Sequence, residues 1–122
     1  MNMTKTVTMY GYPKCSTCVK AKKALEQHGV EVDYKHIVEE TPSATTIHEL
    51  HQKSGEPLKK FFNTSGQSYR SQGIKDKLPE LSEDEQYKLL ASDGMLLKRP
   101  IVTDGRDVTI GFKEEMYRGK WY

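Results

Sequence analysis

The sequence predicts an α/β fold in a single domain, and three observations along the chain lead to that prediction. Residues 6–37 have the pattern of a strand, a helix and a second strand, residues 41–93 are helical in pattern, and residues 101–122 predict two short strands and a final helix. At 122 residues the chain is large enough for one hydrophobic core. The predicted order is therefore β-α-β, a helical block, and β-β-α.

The first strand is predicted over Thr6–Tyr10, where apolar and polar residues alternate until Gly11 and Pro13 break the pattern. A helix follows from about Ser16 to His28, because Cys18, Ala21, Leu25 and His28 recur at intervals of three and four on one face. Alternation of Val30, Val32 and Tyr34 with polar residues predicts the second strand over Val30–Ile37. This compact order implies a parallel strand pair joined by a right-handed crossover.

The helical block is divided by residues that begin or end helices. Ser43 is an N-cap candidate, and Gly55 ends the helix that Ser43 begins. Ser82–Glu85 has the spacing of a capping box and opens a further helix that ends near residues 93–94. Between these two helices, Glu56–Phe62 predicts a short helix, and Ser65–Gly73 is rich in turn residues with room for one helical turn.

The last part of the chain predicts a hairpin and a helix. Short β-like runs at Ile101–Thr103 and Val108–Ile110 flank Asp104-Gly105, a dipeptide typical of hairpin turns. Lys113–Tyr122 is the predicted final helix.

Composition narrows the class of protein. Nineteen basic and 17 acidic residues give a net charge of +2, without the clustered basic excess of a dedicated nucleic-acid binder. Apolar runs are much shorter than the ~20 residues of a membrane span, and Thr4, Lys5 and Thr6 interrupt any secretory signal core. We expect a cytoplasmic monomer that binds neither nucleic acid nor membrane. In a reducing compartment, two close cysteines favour catalysis, sensing or metal binding over a structural disulfide.

Cys15 and Cys18 stand at the predicted strand-to-helix junction with the C-x-x-C spacing of a redox motif. A helix N-terminus and neighbouring cations lower the pKa of a cysteine, and a thiolate is the form that attacks disulfides. Lys14 is adjacent, and Arg99 is a second cation that the fold can bring near. Cys18, one turn into the helix, is placed to resolve a mixed disulfide formed at Cys15.

Two other interpretations of this pair stay open at this point. The cysteines could be a pair of buried structural thiols. They could also bind zinc, which would require two more ligands from the four histidines of the chain. Because the sequence has neither a second C-x-x-C nor metal-finger spacing, we expect no metal and no bound cofactor.

Several segments together resemble the ArsC/Spx family, and most of all its YusI-type branch. They are Tyr12–Ala21, Phe62–Gly66, Ala91–Met95, Leu97–Val102 and Gly111–Lys113. The resemblance implies one thioredoxin-like domain over residues 1–122, with a four-stranded mixed sheet. Residues 1–40 and 95–122 would form the thioredoxin-like half, and about 41–94 the helical insertion.

The resemblance also implies roles for individual residues. Cys15 matches the family nucleophile, Arg99 matches an arginine that binds oxyanions in glutaredoxin-coupled arsenate reductases, and Pro100 matches the cis-proline beside the active cysteine. Further substrate-binding or supporting positions are Lys14, Ser16, Thr17 and Asn63. Two other arginines of those reductases fall near Asn63 and Gly111, which are not basic, so the oxyanion cage is incomplete.

The predicted function is thiol-disulfide oxidoreduction of a small-molecule or protein disulfide, with glutathione/glutaredoxin or thioredoxin as reductant. The alternative implied by the resemblance is a redox-sensing regulator that binds the RNA polymerase α-subunit. Arsenate reduction is a third hypothesis, and the incomplete arginine set counts against it.

Overall fold

The computed structural model describes residues 5–122, so Met1–Thr4 at the start of the predicted domain lie outside the described residues. The chain divides into two compact units. One, the sheet unit, consists within the described chain of residues 5–36 together with Arg99–Tyr122. The other, the helical unit, is Ile37–Lys98.

The sheet unit contains four strands and two helices. In chain order they are β1 Thr6–Gly11, α1 Ser16–Gln27, β2 Glu31–His36, β3 Ile101–Thr103, β4 Val108–Ile110 and α6 Glu114–Lys120. The helical unit contains the remaining helices, α2 Ala44–Ser54, α3 Gln67–Ser71, α4 Ile74–Lys77 and α5 Glu83–Ser92, with 3-10 turns at Leu58–Phe61, Leu78–Glu80 and Gly94–Leu96.

The strands form one mixed sheet in the order β2-β1-β3-β4. β1 and β2 are parallel, with Met9 opposite Tyr34, and β3 is antiparallel to both β1 and β4. The parallel pair follows from the helical crossover α1, whereas the hairpin turn between β3 and β4 imposes antiparallel pairing. The predicted α/β fold with a four-stranded mixed sheet is confirmed.

The core of the sheet unit lies where β1, α1, β3 and α6 pack together. Its buried members are Val7, Met9, Ala21, Leu25, Val30, Val102, Tyr117 and Trp121. Full burial of each large apolar side chain contributes about 1.5–3 kcal/mol. Trp121 donates its Nε1–H to Thr109 Oγ1 at 3.0 Å, which satisfies both polar groups in the interior.

The predicted capping residues are found at the two longer helices of the helical unit, α2 and α5. Ser43 Oγ accepts the Thr46 N–H at 3.2 Å, and Gly55 ends α2 in the left-handed region with φ +69°. Ser82 and Glu85 form a complete capping box, with bonds of 3.2 and 2.9 Å.

Two predictions for helices require correction, and two short helical stretches were missed. Glu56–Phe62 was predicted as a short helix, and only Leu58–Phe61 is helical, as a 3-10 turn. The helical stretches at Ile74–Lys77 and Leu78–Glu80 were not predicted, because pieces of four and three residues are too short to show a period. His28 was placed on the apolar face of α1, but it is exposed and its ring stacks on Tyr122 at 3.7 Å between centroids.

Candidate active site at the start of helix α1

The loop between β1 and α1 places Cys15 at the N-cap of the helix. Gly11 ends β1, and the Cys15 N–H donates to the Tyr12 carbonyl at 3.0 Å, which closes a tight turn. The backbone of Cys15 is extended, with φ −89° and ψ 112°, as an N-cap requires. Its carbonyl accepts the Val19 N–H at 3.1 Å, the first hydrogen bond of the helix.

The Cys15 sulfur occupies the position that a serine hydroxyl fills in an ordinary N-cap. Cys15 Sγ accepts the backbone N–H of Cys18 at 3.4 Å. Desolvation raises the pKa of Cys15, but hydrogen bonds from the Cys18 side chain and backbone and from Arg99, together with the charge of Arg99, lower it overall below the ordinary value. The half-buried Cys15 is therefore the thiol of this pair that ionises more easily.

Arg99 is the cation of the site. Its guanidinium hydrogen-bonds Cys15 and lies over the ring of Tyr12, with Cζ 5.2 Å from the ring centroid. The Arg99–Pro100 peptide bond is cis, as the family resemblance implied. The Pro100 carbonyl accepts the Gly111 N–H at 2.8 Å, which ties this segment to the end of β4.

Cys18 has the opposite environment, although it is one helical turn from Cys15. It is fully buried, and both cysteines are free thiols. Desolvation, the hydrogen bond that its thiol donates to Cys15 and the charge of Cys15 raise the pKa of Cys18 to about 12. The site thus pairs an activated sulfur with a protonated one.

Tyr34 was predicted only as an apolar position of β2, and it also belongs to this site. Desolvation, followed by the charges of Cys18 and Cys15, raises the pKa of its hydroxyl to about 12. A Cβ added to Gly11 would lie 2.6 Å from the Tyr34 hydroxyl oxygen, so the glycine makes room for this ring. Strand alternation could not reveal this, because it identifies a face of the sheet but not what lies above it.

The remaining predicted site residues occupy two places. Lys14, Ser16 and Thr17 are exposed at the start of α1, next to Cys15. Asn63 belongs to the helical unit, where its N–H donates to the Leu96 carbonyl at 2.7 Å and its Oδ1 accepts the Ser65 hydroxyl at 3.3 Å.

No group of three or more His, Cys, Asp or Glu side chains within residues 5–122 could hold a metal ion. His51 Nδ1 instead pairs with the Tyr87 hydroxyl at 2.6 Å, and His48 stacks on the same ring. Within the same residues, no helix has the length and apolar character needed to cross a membrane.

The fold and the site together define a class of thioredoxin-like α/β proteins with a C-x-x-C pair at the N-terminus of the first helix. A model of the ArsC family matches residues 10–119. The chain belongs to the ArsC family, which confirms the family predicted from its motifs.

Relatives connect the chain to two branches of this family. It is 57% identical over 116 residues to the uncharacterized protein YusI of Bacillus subtilis strain 168, covering 95% of this chain and 98% of that protein. It is 30% identical over 112 residues to global transcriptional regulator Spx 2 of Bacillus cereus, covering 92% and 84%. A crystal structure described as a possible arsenate reductase from Streptococcus mutans UA159 has a TM-score of 0.84 at 48% identity, covering 92% of this chain and 97% of that one.

Proposed function

We propose that this protein is a thiol-disulfide oxidoreductase in which Cys15 is the nucleophile and Cys18 is the resolving thiol. One observation carries the proposal, namely the unequal state of the two sulfurs. Cys15 Sγ accepts a backbone N–H at 3.4 Å and its pKa is lowered, whereas Cys18 is buried and its pKa is raised to about 12. This difference supports attack on the substrate disulfide by Cys15, with Cys18 remaining a protonated thiol until the second step.

In the first step the Cys15 thiolate attacks one sulfur of a substrate disulfide. A bond forms between Cys15 and that sulfur, the substrate S–S bond breaks, and the other half leaves as a thiolate that takes a proton from water. Arg99, which hydrogen-bonds Cys15, stabilises the attacking thiolate before the reaction.

In the second step Cys18 loses its proton and attacks the Cys15 sulfur of the mixed disulfide. The Cys15–Cys18 bond forms, and the second half of the substrate leaves as a thiol after protonation. The substrate has then gained two electrons, and the cysteine pair has lost two. A dithiol or a pair of thiols, such as glutathione/glutaredoxin or thioredoxin, would restore the reduced pair.

The two cysteines can be tested separately with an uncharged disulfide such as bis-hydroxyethyl disulfide. We expect Cys15→Ser to lose reduction, and Cys18→Ser to stop at a mixed disulfide that intact-mass spectrometry detects as a stable adduct. A Cys15→Ser variant that keeps full turnover would overturn the proposal.

A second candidate function is favoured by the relative named global transcriptional regulator Spx 2, at 30% identity. In that case the same Cys15–Cys18 pair would act as a sensor, and its oxidation would change binding to the RNA polymerase α-subunit. A pull-down with the C-terminal domain of that subunit, using oxidised and reduced protein, distinguishes the two functions. Binding that is equal in both states, or absent from both, would remove this candidate.

Arsenate reduction is the weakest of the three. A tetrahedral dianion needs several bidentate donors, and the positions aligned with the other two arginines hold Asn63 and Gly111. We expect arsenate to consume no thiol through Cys15 beyond the rate without arsenate. Arsenate-dependent thiol consumption that disappears in Cys15→Ser would instead support arsenate reduction.

A further inference from the structure

A groove runs along the side of α1 and begins at the thiol site. Four residues on one stripe of the helix line it, Val19, Lys22, Lys23 and Glu26, together with Cys18, Pro13 and Tyr34. Its volume is about 430 Å³, within the size of sites that bind small ligands or short peptide segments. The groove is therefore large enough for part of a substrate whose sulfur reacts at Cys15.

The two ends of this α1 groove differ in character. Near the thiols, Pro13 and Val19 present apolar surface, and Val19 is 43% exposed, one of only two large hydrophobic residues so exposed within residues 5–122. Farther along the helix the lining is charged, with Lys22, Lys23 and Glu26. An occupant that matches the groove has an apolar side chain next to its sulfur and a charged group beyond it.

The sign of that charged group follows from the ion pairs. Lys22 Nζ is 3.6 Å from Glu26 Oε2, so these two charges neutralise each other. Lys23 is exposed, and no carboxylate in residues 5–122 lies within salt-bridge distance of it. The charged end of the groove thus has one uncompensated positive charge, which favours an acidic group on the occupant.

Helix geometry gives the spacing of the occupant. Cys15, where the substrate sulfur reacts, and Lys23 are eight residues apart, and a rise of 1.5 Å per residue puts them about 12 Å apart along the axis of α1. An extended peptide covers that distance in about three to four residues, at roughly 3.3–3.6 Å each. A carboxylate three to four residues from the reacting cysteine would therefore come within reach of Lys23.

We infer that the α1 groove is a substrate subsite for an acidic peptide segment, which selects protein disulfides with an apolar residue next to the cysteine and a carboxylate three to four residues away. This inference rests on the proposed disulfide reduction at Cys15. Val19 contacts the apolar residue, and Lys23 pairs with the carboxylate.

The test uses two synthetic peptides oxidised to homodimers, Gly-Glu-Gly-Leu-Cys-Leu-Gly-Glu-Gly and its twin with lysine in place of both glutamates. Reduced protein is mixed with each disulfide, and the release of two peptide thiols per Cys15–Cys18 disulfide is followed by chromatography. Each rate is divided by the rate with dithiothreitol, which removes differences in the intrinsic reactivity of the peptides. We expect a preference of about two- to fivefold for the acidic peptide, the size of one exposed ion pair.

Lys23→Glu should reverse this preference, and the exposed position of Lys23 means that the variant keeps the fold. The matched control is Lys20→Glu, which makes the same charge change on the same helix at an exposed position outside the groove. The control should keep the preference for the acidic peptide. An equal effect of both variants would mean long-range attraction without a subsite, and would overturn the inference.

The outcomes also separate this inference from the function on which it rests. If the wild-type protein reduces bis-hydroxyethyl disulfide but shows no preference between the two peptides, disulfide reduction stands and the subsite is wrong. If it reduces none of the three disulfides, the proposed function fails and the subsite fails with it.

Discussion

The N-termini of α1 and α5 are capped in the same way but differ in charge. In both helices the N-cap side chain accepts the backbone N–H three residues further along. Cys15 Sγ accepts the Cys18 N–H in α1, and Ser82 Oγ accepts the Glu85 N–H in α5. The first turn of α5 has three carboxylates, at Glu83–Glu85, which complement the positive end of the helix dipole. The first turn of α1 consists of the uncharged residues Ser16–Val19.

The comparison shows how an N-cap side chain can become a candidate reactive group. In α5 the dipole is already compensated by carboxylates, and the cap only stabilises the helix. In α1 the Cys15 sulfur lies at the positive end of the helix dipole. The dipole therefore stabilises the thiolate form of Cys15 and favours its ionisation. Arg99 adds a hydrogen bond and a positive charge that act on the same sulfur. The same cap geometry thus stabilises the helix in α5 and favours a thiolate in α1.

The largest expected effect concerns the two thiols of α1. The pKa of Cys15 is lowered from that of an ordinary cysteine, whereas burial and the neighbouring Cys15 raise the pKa of Cys18 to about 12. An ordinary cysteine has a pKa of about 8.5, so the thiolate fraction of Cys18 at pH 7 is at least about a thousandfold smaller than that of an ordinary cysteine, and the difference from Cys15 is larger still. The more basic thiolate is more nucleophilic, which offsets about half of this difference on a logarithmic scale. We expect limited iodoacetamide treatment to label Cys15 at least about thirtyfold faster than Cys18, as measured by peptide mapping.

Burial of Cys18 should widen this ratio, and unfolding in urea supplies the control. In the unfolded chain both sulfurs lose their environments, and the two labelling rates should come within a few-fold of each other. Comparable labelling of both cysteines in the folded protein would contradict the assignment of Cys15 as the activated thiol.

Arg99→Gln should have the next largest effect. Arg99 lowers the pKa of Cys15 through a hydrogen bond and its charge, so its removal raises that pKa and moves the alkylation profile to higher pH. At pH 6, where a smaller fraction of Cys15 would be ionised, we expect a loss of about tenfold in rate, the size of one charge-assisted hydrogen bond. At pH values where both forms are fully ionised the rates should converge.

Arg106→Gln provides a matched control, because Arg106 is an exposed arginine in the hairpin turn between β3 and β4. Its pH profile should coincide with that of the wild type. If the two variants behave alike, Arg99 affects Cys15 only through the total charge of the protein.

The fold was largely predictable because its signals are local. Alternation identified β1 and β2, the β-like runs on either side of Asp104-Gly105 identified β3 and β4, and Gly and Ser at the ends of helices placed the main caps. The short helices at Ile74–Lys77 and Leu78–Glu80 were missed, since pieces of three or four residues form only where tertiary packing supports them.

The candidate site was predictable only in part. The position of Cys15 and Cys18 at the start of α1 follows from the local pattern, whereas the approach of Arg99 came from the family resemblance. Nothing in the local sequence connects Tyr34 to the thiols, because that contact depends on the parallel register between β1 and β2 and on the lack of a side chain at Gly11. Proximity between residues on different strands can be seen only once the strands are paired in the sheet.

Ser82→Ala tests the N-cap of α5, which we expect to contribute only to stability. Removal of the hydroxyl leaves the Glu85 N–H without its acceptor and breaks the capping box. We expect a loss of about 1 kcal/mol in the free energy of unfolding, measured by urea denaturation. The alkylation rate of Cys15 should stay unchanged, and a slower rate would show that this cap affects the thiol.

The smallest expected effect comes from giving α1 the charge that α5 already has. Thr17→Glu places a carboxylate in the first turn of α1, at an exposed position two residues from Cys15. The new charge competes for the helix dipole and repels the thiolate, so alkylation of Cys15 at pH 7 should slow by about two- to fivefold, the equivalent of 0.3–1 kcal/mol. Thr17→Gln has nearly the same size without the charge and should react like the wild type. Because the interaction is exposed, 1 M salt should remove most of the difference between the two variants. Equal rates for Glu and Gln at low salt would mean that the dipole contributes little to Cys15, and that hydrogen bonds alone activate the sulfur.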